Sequence, residues 1–194
     1  QSLQDLLLNG LRGLAAFAQQ AQRLGRHHPT ADRFFQESLH ATGAGVNFDE
    51  EDLYQRCLDC GGMCREVLDM LREGHDEAFG RPAPARAPGG TSFGRAILVT
   101  GNDLSDLARL LDRVEGTELE VYTHGEMLAA HMYPRLREHP RLAGHYGSAW
   151  RRQQSEFRAF TGPILATGGS LMLPDPAYAS RLFTARSGAL PGAT

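Results

Sequence analysis

The sequence predicts an α plus α/β protein: a helical bundle over residues 1–80, a Pro/Gly-rich connector over 81–94, and a parallel-sheet domain over 95–194. Three observations carry this. Apolar residues recur at helical spacing through the first eighty positions. The run "RPAPARAPGGTSF" then interrupts the pattern with residues that favour neither helix nor strand. Beyond it, short apolar runs alternate with amphipathic stretches in a β-α-β-α-β rhythm, which requires parallel strands with helices packed on them.

The first predicted helix covers residues 2–24, with Leu3, Leu6, Leu7, Leu11, Leu14, Phe17, Ala18 and Ala21 on one stripe, Ser2 as N-cap and Gly25 as stop. A second runs from about Ala31 to Thr42. A third begins after an Asn47–Asp49 cap and carries Leu53, Cys57, Cys60, Cys64, Val67, Leu68 and Leu71 at helical spacing; Gly61-Gly62 in its middle is expected to weaken or bend it. In the second half "AILVT" (96–100), "LEVYT" (119–123) and "PILAT" (163–167) read as buried strands. The stretches 103–114, 125–138 and 148–160 read as helices. Chemistry in such sheets collects at the carboxyl ends of the strands. Here those ends carry "GNDLSD", "THGEM" and "TGGSLMLP".

The 194 residues are enough for one large domain or two small ones. A net charge of −3 gives no reason to expect nucleic-acid or anionic-membrane binding. All 20 basic residues are Arg, which excludes Schiff-base and P-loop lysine chemistry. No apolar run is long enough to span a bilayer, no signal segment opens the chain, and three cysteines clustered between 57 and 64 do not make a secreted disulfide framework. A cytoplasmic protein is the expectation.

Cys57, Cys60 and Cys64 fall at i, i+3 and i+7, so their sulfurs share a helix face. Such a trio could hold three irons of a cluster or three positions of a zinc site. The same face is the apolar stripe of its helix, where unpaired cysteines pack as small hydrophobes. His124-Gly125-Glu126 matches the H-x-E of zinc deaminases, but no cysteine follows position 64 to complete that ligand set. His124 and His131 are seven apart, whereas a metalloprotease pair stands four apart, so His131 reads as a packed residue. Glu126 is the stronger candidate: a carboxylate at a strand end can serve the dipole of the following helix or act as an oxygen ligand to iron. Asp103 or Asp106 can cap the helix that follows. Gly168-Gly169-Ser170 could cradle an anion through backbone N–H groups.

The run from "ILVTGNDLSD" through "YTHGEMLAAHMYP" and "GSAWRRQQSEFRAFTGPIL" to "ATGGSLMLP" resembles the hybrid cluster protein (prismane, hydroxylamine reductase) family. The N-terminal "LQDLLLNGLRGLAAFAQQAQRLG" and the closing "YASRLFTARSGALPG" fit the same pattern, so the resemblance covers essentially the whole chain. It implies a helical segment followed by a Rossmann-like α/β domain of the hybrid cluster protein type. It further implies redox chemistry on hydroxylamine or nitric oxide at a mixed iron–sulfur–oxygen cluster.

By that resemblance this stretch supplies three cluster ligands, a His, a Glu and a Cys. Only Glu126 matches; the His position is Asn102 and the Cys position is Ser170. Asn and Ser are poor iron ligands beside imidazole and thiolate. The family's other cysteine ligands fall outside this stretch, and Cys57, Cys60 and Cys64 match none of them. Two readings follow. One is a shortened redox polypeptide whose depleted site is completed by another chain, or by a second copy, packed on the strand-end face. The other is a non-catalytic interaction or assembly subunit that keeps the fold and holds no cluster.

Overall fold

The computed structural model describes residues 2–43, 49–90, 95–169 and 171–185. Asn47, Ser170 and residues 91–94 of the connector lie outside them. The chain divides into two compact units, Gln1–Ala78 and Phe79–Thr194.

The first unit is an up-down-up arrangement of three helices: α1 (Ser2–Arg23), α2 (Pro29–Ala41) and α3 (Glu50–Phe79, of which Phe79 already belongs to the second unit). Gly25, at φ +75°, ends α1 in a left-handed turn. Its N–H bonds the Gln22 carbonyl and the next N–H, of Arg26, reaches back to Ala21, both at 3.0 Å. The His28 ring caps α2 by accepting from the Ala31 N–H at 3.1 Å, with Pro29 at the first helical position. α1 and α3 run parallel, since Cys57 Sγ lies 3.7 Å from the Leu3 carbonyl oxygen while Arg26 pairs with Glu77 at 2.9 Å. Leu7, Leu11, Leu14, Leu53, Cys60 and Val67 form the core between them.

The third helix passes unbroken through Gly61-Gly62 over its 30 residues. Both glycines are exposed, and a Cβ at either would touch nothing within 4 Å. Packing of Leu53, Cys60, Val67 and Leu71 on either side of the pair outweighs the helix propensity it gives up.

The second unit is built on five parallel strands in the order β3-β2-β1-β4-β5: β1 (Ala96–Thr100), β2 (Glu120–His124), β3 (Leu142–His145), β4 (Ile164–Ala166) and β5 (Leu182–Thr184). α4 (Leu104–Val114) connects β1 to β2. A 3-10 helix (Gly125–Met132) and the short α5 (Pro134–Arg137) lead from β2 to β3. A 3-10 turn (Trp150–Arg152) and α6 (Gln153–Ala159) lead on to β4, and α7 (Pro176–Ala179) to β5. The helix expected over 125–138 is therefore split. Pro134 forces Tyr133 into an extended conformation (φ −87°, ψ 121°), which breaks the turn before it.

One face of the sheet carries Leu98, Tyr122 and Ile164 against Phe157 of α6 and Tyr178 of α7. Val99, Val121 and Thr123 are buried on the other face. The connector is strapped along the β3 edge: Ala83 N–H donates to the Met132 carbonyl at 2.9 Å, and His145 N–H donates to the Pro88 carbonyl at 2.7 Å. Among the described residues no helix is long and apolar enough to cross a membrane.

Candidate functional site

Strand order reverses at β1, which has β2 on one side and β4 on the other, and sheets of this kind place their sites beyond the carboxyl ends of the strands at such a point. Two loops close on each other there. Thr167 N–H and Oγ1 both donate to the Thr100 carbonyl, at 2.9 and 3.1 Å, and Thr167 Oγ1 accepts from Asp103 N–H at 3.3 Å. Gly101 has φ +103°, and a Cβ there would lie 2.1 Å from the Gly168 carbonyl oxygen, so only glycine permits this approach. Asn102 is half-buried in the same place; a Cβ on Gly169 would come within 3.4 Å of its Nδ2. Asp103 caps α4, its Oδ1 accepting from Ser105 N–H at 3.0 Å and Asp106 N–H at 3.2 Å.

Glu126 lies one strand over, in the first turn of the 3-10 helix, and its side chain is exposed. The residue before it, Gly125, has φ +60°, and a Cβ there would stand 3.8 Å from Thr100 Oγ1. The Glu126 turn thus borders the last side chain of β1.

The parallel register organises two polar networks that sequence reading missed. Thr100 pairs with His124 across β1 and β2, and Thr123 pairs with His145 across β2 and β3. Because successive residues point to opposite faces, the two networks lie on opposite sides of the sheet. On the α6 side, His124 Nδ1 is 3.1 Å from Thr100 Oγ1 and Nε2 is 2.8 Å from Glu156 Oε2. Phe157 meets the His124 ring edge-on at 5.0 Å. Burial would raise the Glu156 carboxyl, but hydrogen bonds from Ser148 and His124 outweigh it and hold it below the usual carboxylate range.

On the other side, Thr123 Oγ1 lies 2.9 Å from both His131 Nε2 and His145 Nδ1. Burial pushes both imidazoles down, His145 to about 4. His131 is buried at 4% exposure, in keeping with its reading as a packed residue. No local pattern announces Glu156, which meets His124 from 32 positions away; the one available signal is that the strands ending at 100 and 124 are parallel neighbours.

Cys57, Cys60 and Cys64 do share one helix face, and that face packs into the core of the first unit. Cys60 is 3% exposed, and burial, with Cys64 and Cys57 beside it, pushes its thiol up to about 11. Among the described residues no group of three or more His, Cys, Asp or Glu side chains is arranged to hold a metal ion.

A parallel sheet of this strand order, with glycines in close contact at its reversal point, defines the second unit as a Rossmann-like α/β domain. The chain belongs to the Prismane/CO dehydrogenase family, whose model matches residues 1–194. It is 46% identical over 193 residues to the hydroxylamine reductase of Moorella thermoacetica, covering 100% of this chain and 45% of that protein. It is 48% identical to the hydroxylamine reductase of Rhodospirillum rubrum, covering 99% of this chain and 35% of that protein. With the Thermotoga maritima hydroxylamine reductase it shares 38% identity, over 98% of this chain and 44% of the other. The chain thus spans less than half the length of these relatives.

The family resemblance implies an iron–sulfur–oxygen cluster, and the residues present can be tested against it. Glu126 offers an exposed carboxylate of the right chemistry. Asn102 offers a neutral amide packed on the Gly168-Gly169 loop, and the cysteines are turned into the core of the other unit. The described residues therefore do not by themselves fit such a cluster.

Proposed function

We propose that this chain is a hydroxylamine-reductase-type redox polypeptide whose cluster site is depleted to a single retained ligand, Glu126, and is completed by another chain or a second copy packed on the strand-end face. The observation that carries this reading is the placement of Glu126. Its carboxylate stands exposed on the first turn after a central strand, beside the strand-order reversal, and is not consumed as a helix cap. The substituted position Asn102 follows β1, the strand that pairs with β2, so two of the positions named by the family pattern belong to neighbouring strand ends.

The test is anaerobic isolation of the native complex, with iron and acid-labile sulfide analysis and assay of hydroxylamine reduction by a reduced viologen. The reading expects a brown protein with several irons per assembly and a loss of iron in Glu126→Gln. A colourless, iron-free and well-folded native complex would sink it.

The second reading, a subunit that keeps the fold as an interaction scaffold with no cluster, is favoured by one observation. A Cβ on Gly169 would come within 3.4 Å of the Asn102 amide, and the loops after β1 and β4 are joined by their own hydrogen bonds between Thr100, Asp103 and Thr167. An iron-free complex that still retains its partner chain is the result this reading expects.

A further inference from the structure

We propose that Glu156 is a positioning residue for the strand-end face. Acting through His124 and Ser148, it holds three separate strand-end segments in one arrangement and so fixes the turn that presents Glu126. The idea deepens, and for its catalytic consequence rests on, the redox reading above.

The carboxylate bonds two of these segments directly and reaches the third, the end of β1, through His124. Oε2 accepts from His124 Nε2 at 2.8 Å and from Ser148 N–H at 3.1 Å, while Oε1 accepts from Ser148 Oγ at 2.7 Å. With Nε2–H given to Glu156, the other ring nitrogen is left to accept, so Thr100 O–H donates to His124 Nδ1 at 3.1 Å. The path therefore runs from the loop after β3, through α6 and the end of β2, to the end of β1. It finishes against the glycine that precedes Glu126.

Stability alone does not account for this device. His124 is fully buried, and a buried hydrogen-bonded polar pair is commonly matched by apolar groups of the same shape. The sheet offers such packing immediately alongside, where Phe157 stacks edge-on against the imidazole. The chain also forgoes a side chain at Gly147, where a Cβ would sit 2.7 Å from both Glu156 Oε2 and His124 Cδ2. A histidine held by a carboxylate at its outer nitrogen and by a hydroxyl at its inner one cannot rotate or change tautomer without breaking a bond. That restraint sits two residues before the candidate ligand.

The experiment compares wild type, Glu156→Gln and the milder Ser148→Ala, which removes one hydroxyl from an exposed position. Hydrogen exchange is followed segment by segment in the isolated chain. Positioning predicts that exchange at 125–127 accelerates at least tenfold in Glu156→Gln and less in Ser148→Ala, with the first unit unchanged. Acceleration confined to 147–157, or spread evenly over the whole second unit, overturns the proposal. In the native complex, Glu156→Gln is expected to lower kcat for hydroxylamine about 10- to 100-fold with KM little changed, as outer partners of ligand-bearing segments do. An unchanged kcat in an active complex also overturns it. Should the wild-type complex fail to reduce hydroxylamine, the redox reading falls on its own, and the exchange measurements still decide whether Glu156 positions the turn.

Discussion

Thr123 and His145 stand in register on adjacent parallel strands, and the threonine hydroxyl lies midway between two imidazoles, 2.9 Å from His145 Nδ1 and 2.9 Å from His131 Nε2. A hydroxyl has one hydrogen to give, so at least one ring must donate to it, and both rings are held neutral by burial. His145 is pushed down to about 4 by burial first and by the neighbouring imidazoles of His124 and His131 next, with Glu156 opposing. In the unfolded chain the same imidazole titrates near 6.5. Between those values the unfolded chain binds a proton that the folded one refuses. Stability is therefore complete above about pH 6.5 and falls as the pH drops toward 4. Allowing for solvent screening of a partly exposed ring, the loss is about 1–2 kcal/mol. Urea midpoints measured from pH 7.5 to 4.5 should show this slope, and His145→Asn should flatten it. Parallel slopes in the two proteins would refute the assignment.

Gly147 and Glu156 set a second prediction. A methyl at 147 would be 2.7 Å from the carboxylate, and the residue has φ +80°. Gly116, at φ +76°, has nothing within 4 Å of its Cβ position and isolates the backbone cost alone. Gly116→Ala is expected to lose about 1 kcal/mol and Gly147→Ala about 3 kcal/mol. The difference, read from chemical denaturation, measures the space the His124–Glu156 pair needs. Equal losses would mean that the pair yields freely.

How far the sequence discloses this protein varies with burial and with chain distance. β1, β2 and β4 lie inside the sheet with a neighbour on each side, and their apolar runs are visible. β3 and β5 are its edges, only four and three residues long, and "LAGH" and "LFT" carry no such run. The candidate site divides the same way. Glu126 and Asn102 sit in strand-end motifs and are legible, and so is the Asp103 cap. Glu156, Thr100 and His145 acquire meaning only from strand register, which no single segment encodes.

The loops after β1 and β4 meet at the contact between Gly101 and Gly168. A Cβ on residue 101 would lie 2.1 Å from a backbone oxygen and 2.7 Å from Thr167 Oγ1, and neither backbone nor hydroxyl can retreat without breaking the bonds to Thr100. Gly101→Ala is expected to cost about 4 kcal/mol or more and to expose Tyr122 and Tyr178, both buried on the α6 side. Near-ultraviolet circular dichroism follows those tyrosines. A near-native spectrum and midpoint would show that the two loops part more easily than the bonds imply.

Cys60 and Gly10 test whether the cysteine face is core. Cys60 is 3% exposed, and a Cβ on Gly10 of α1 would stand 3.0 Å from its Sγ. With its thiol raised to about 11, Cys60 stays protonated at neutral pH and should be the last of the three to react with iodoacetamide, joining the others only in denaturant. Cys60→Ser places a hydroxyl in that apolar contact and should cost about 1–3 kcal/mol without altering iron content. If the trio instead binds a cluster, the same change removes colour and iron. The pairing with Gly10 gives a sharper sign. Gly10→Ala in the native background pits about 1 kcal/mol of helix propensity against a clash with Sγ and should be neutral or destabilising. In a Cys60→Ala background the sulfur is gone, the methyl has room, and the same change should stabilise by about 1 kcal/mol. A double-mutant cycle in urea measures the coupling. Strict additivity would mean that α1 and α3 do not meet at these two residues.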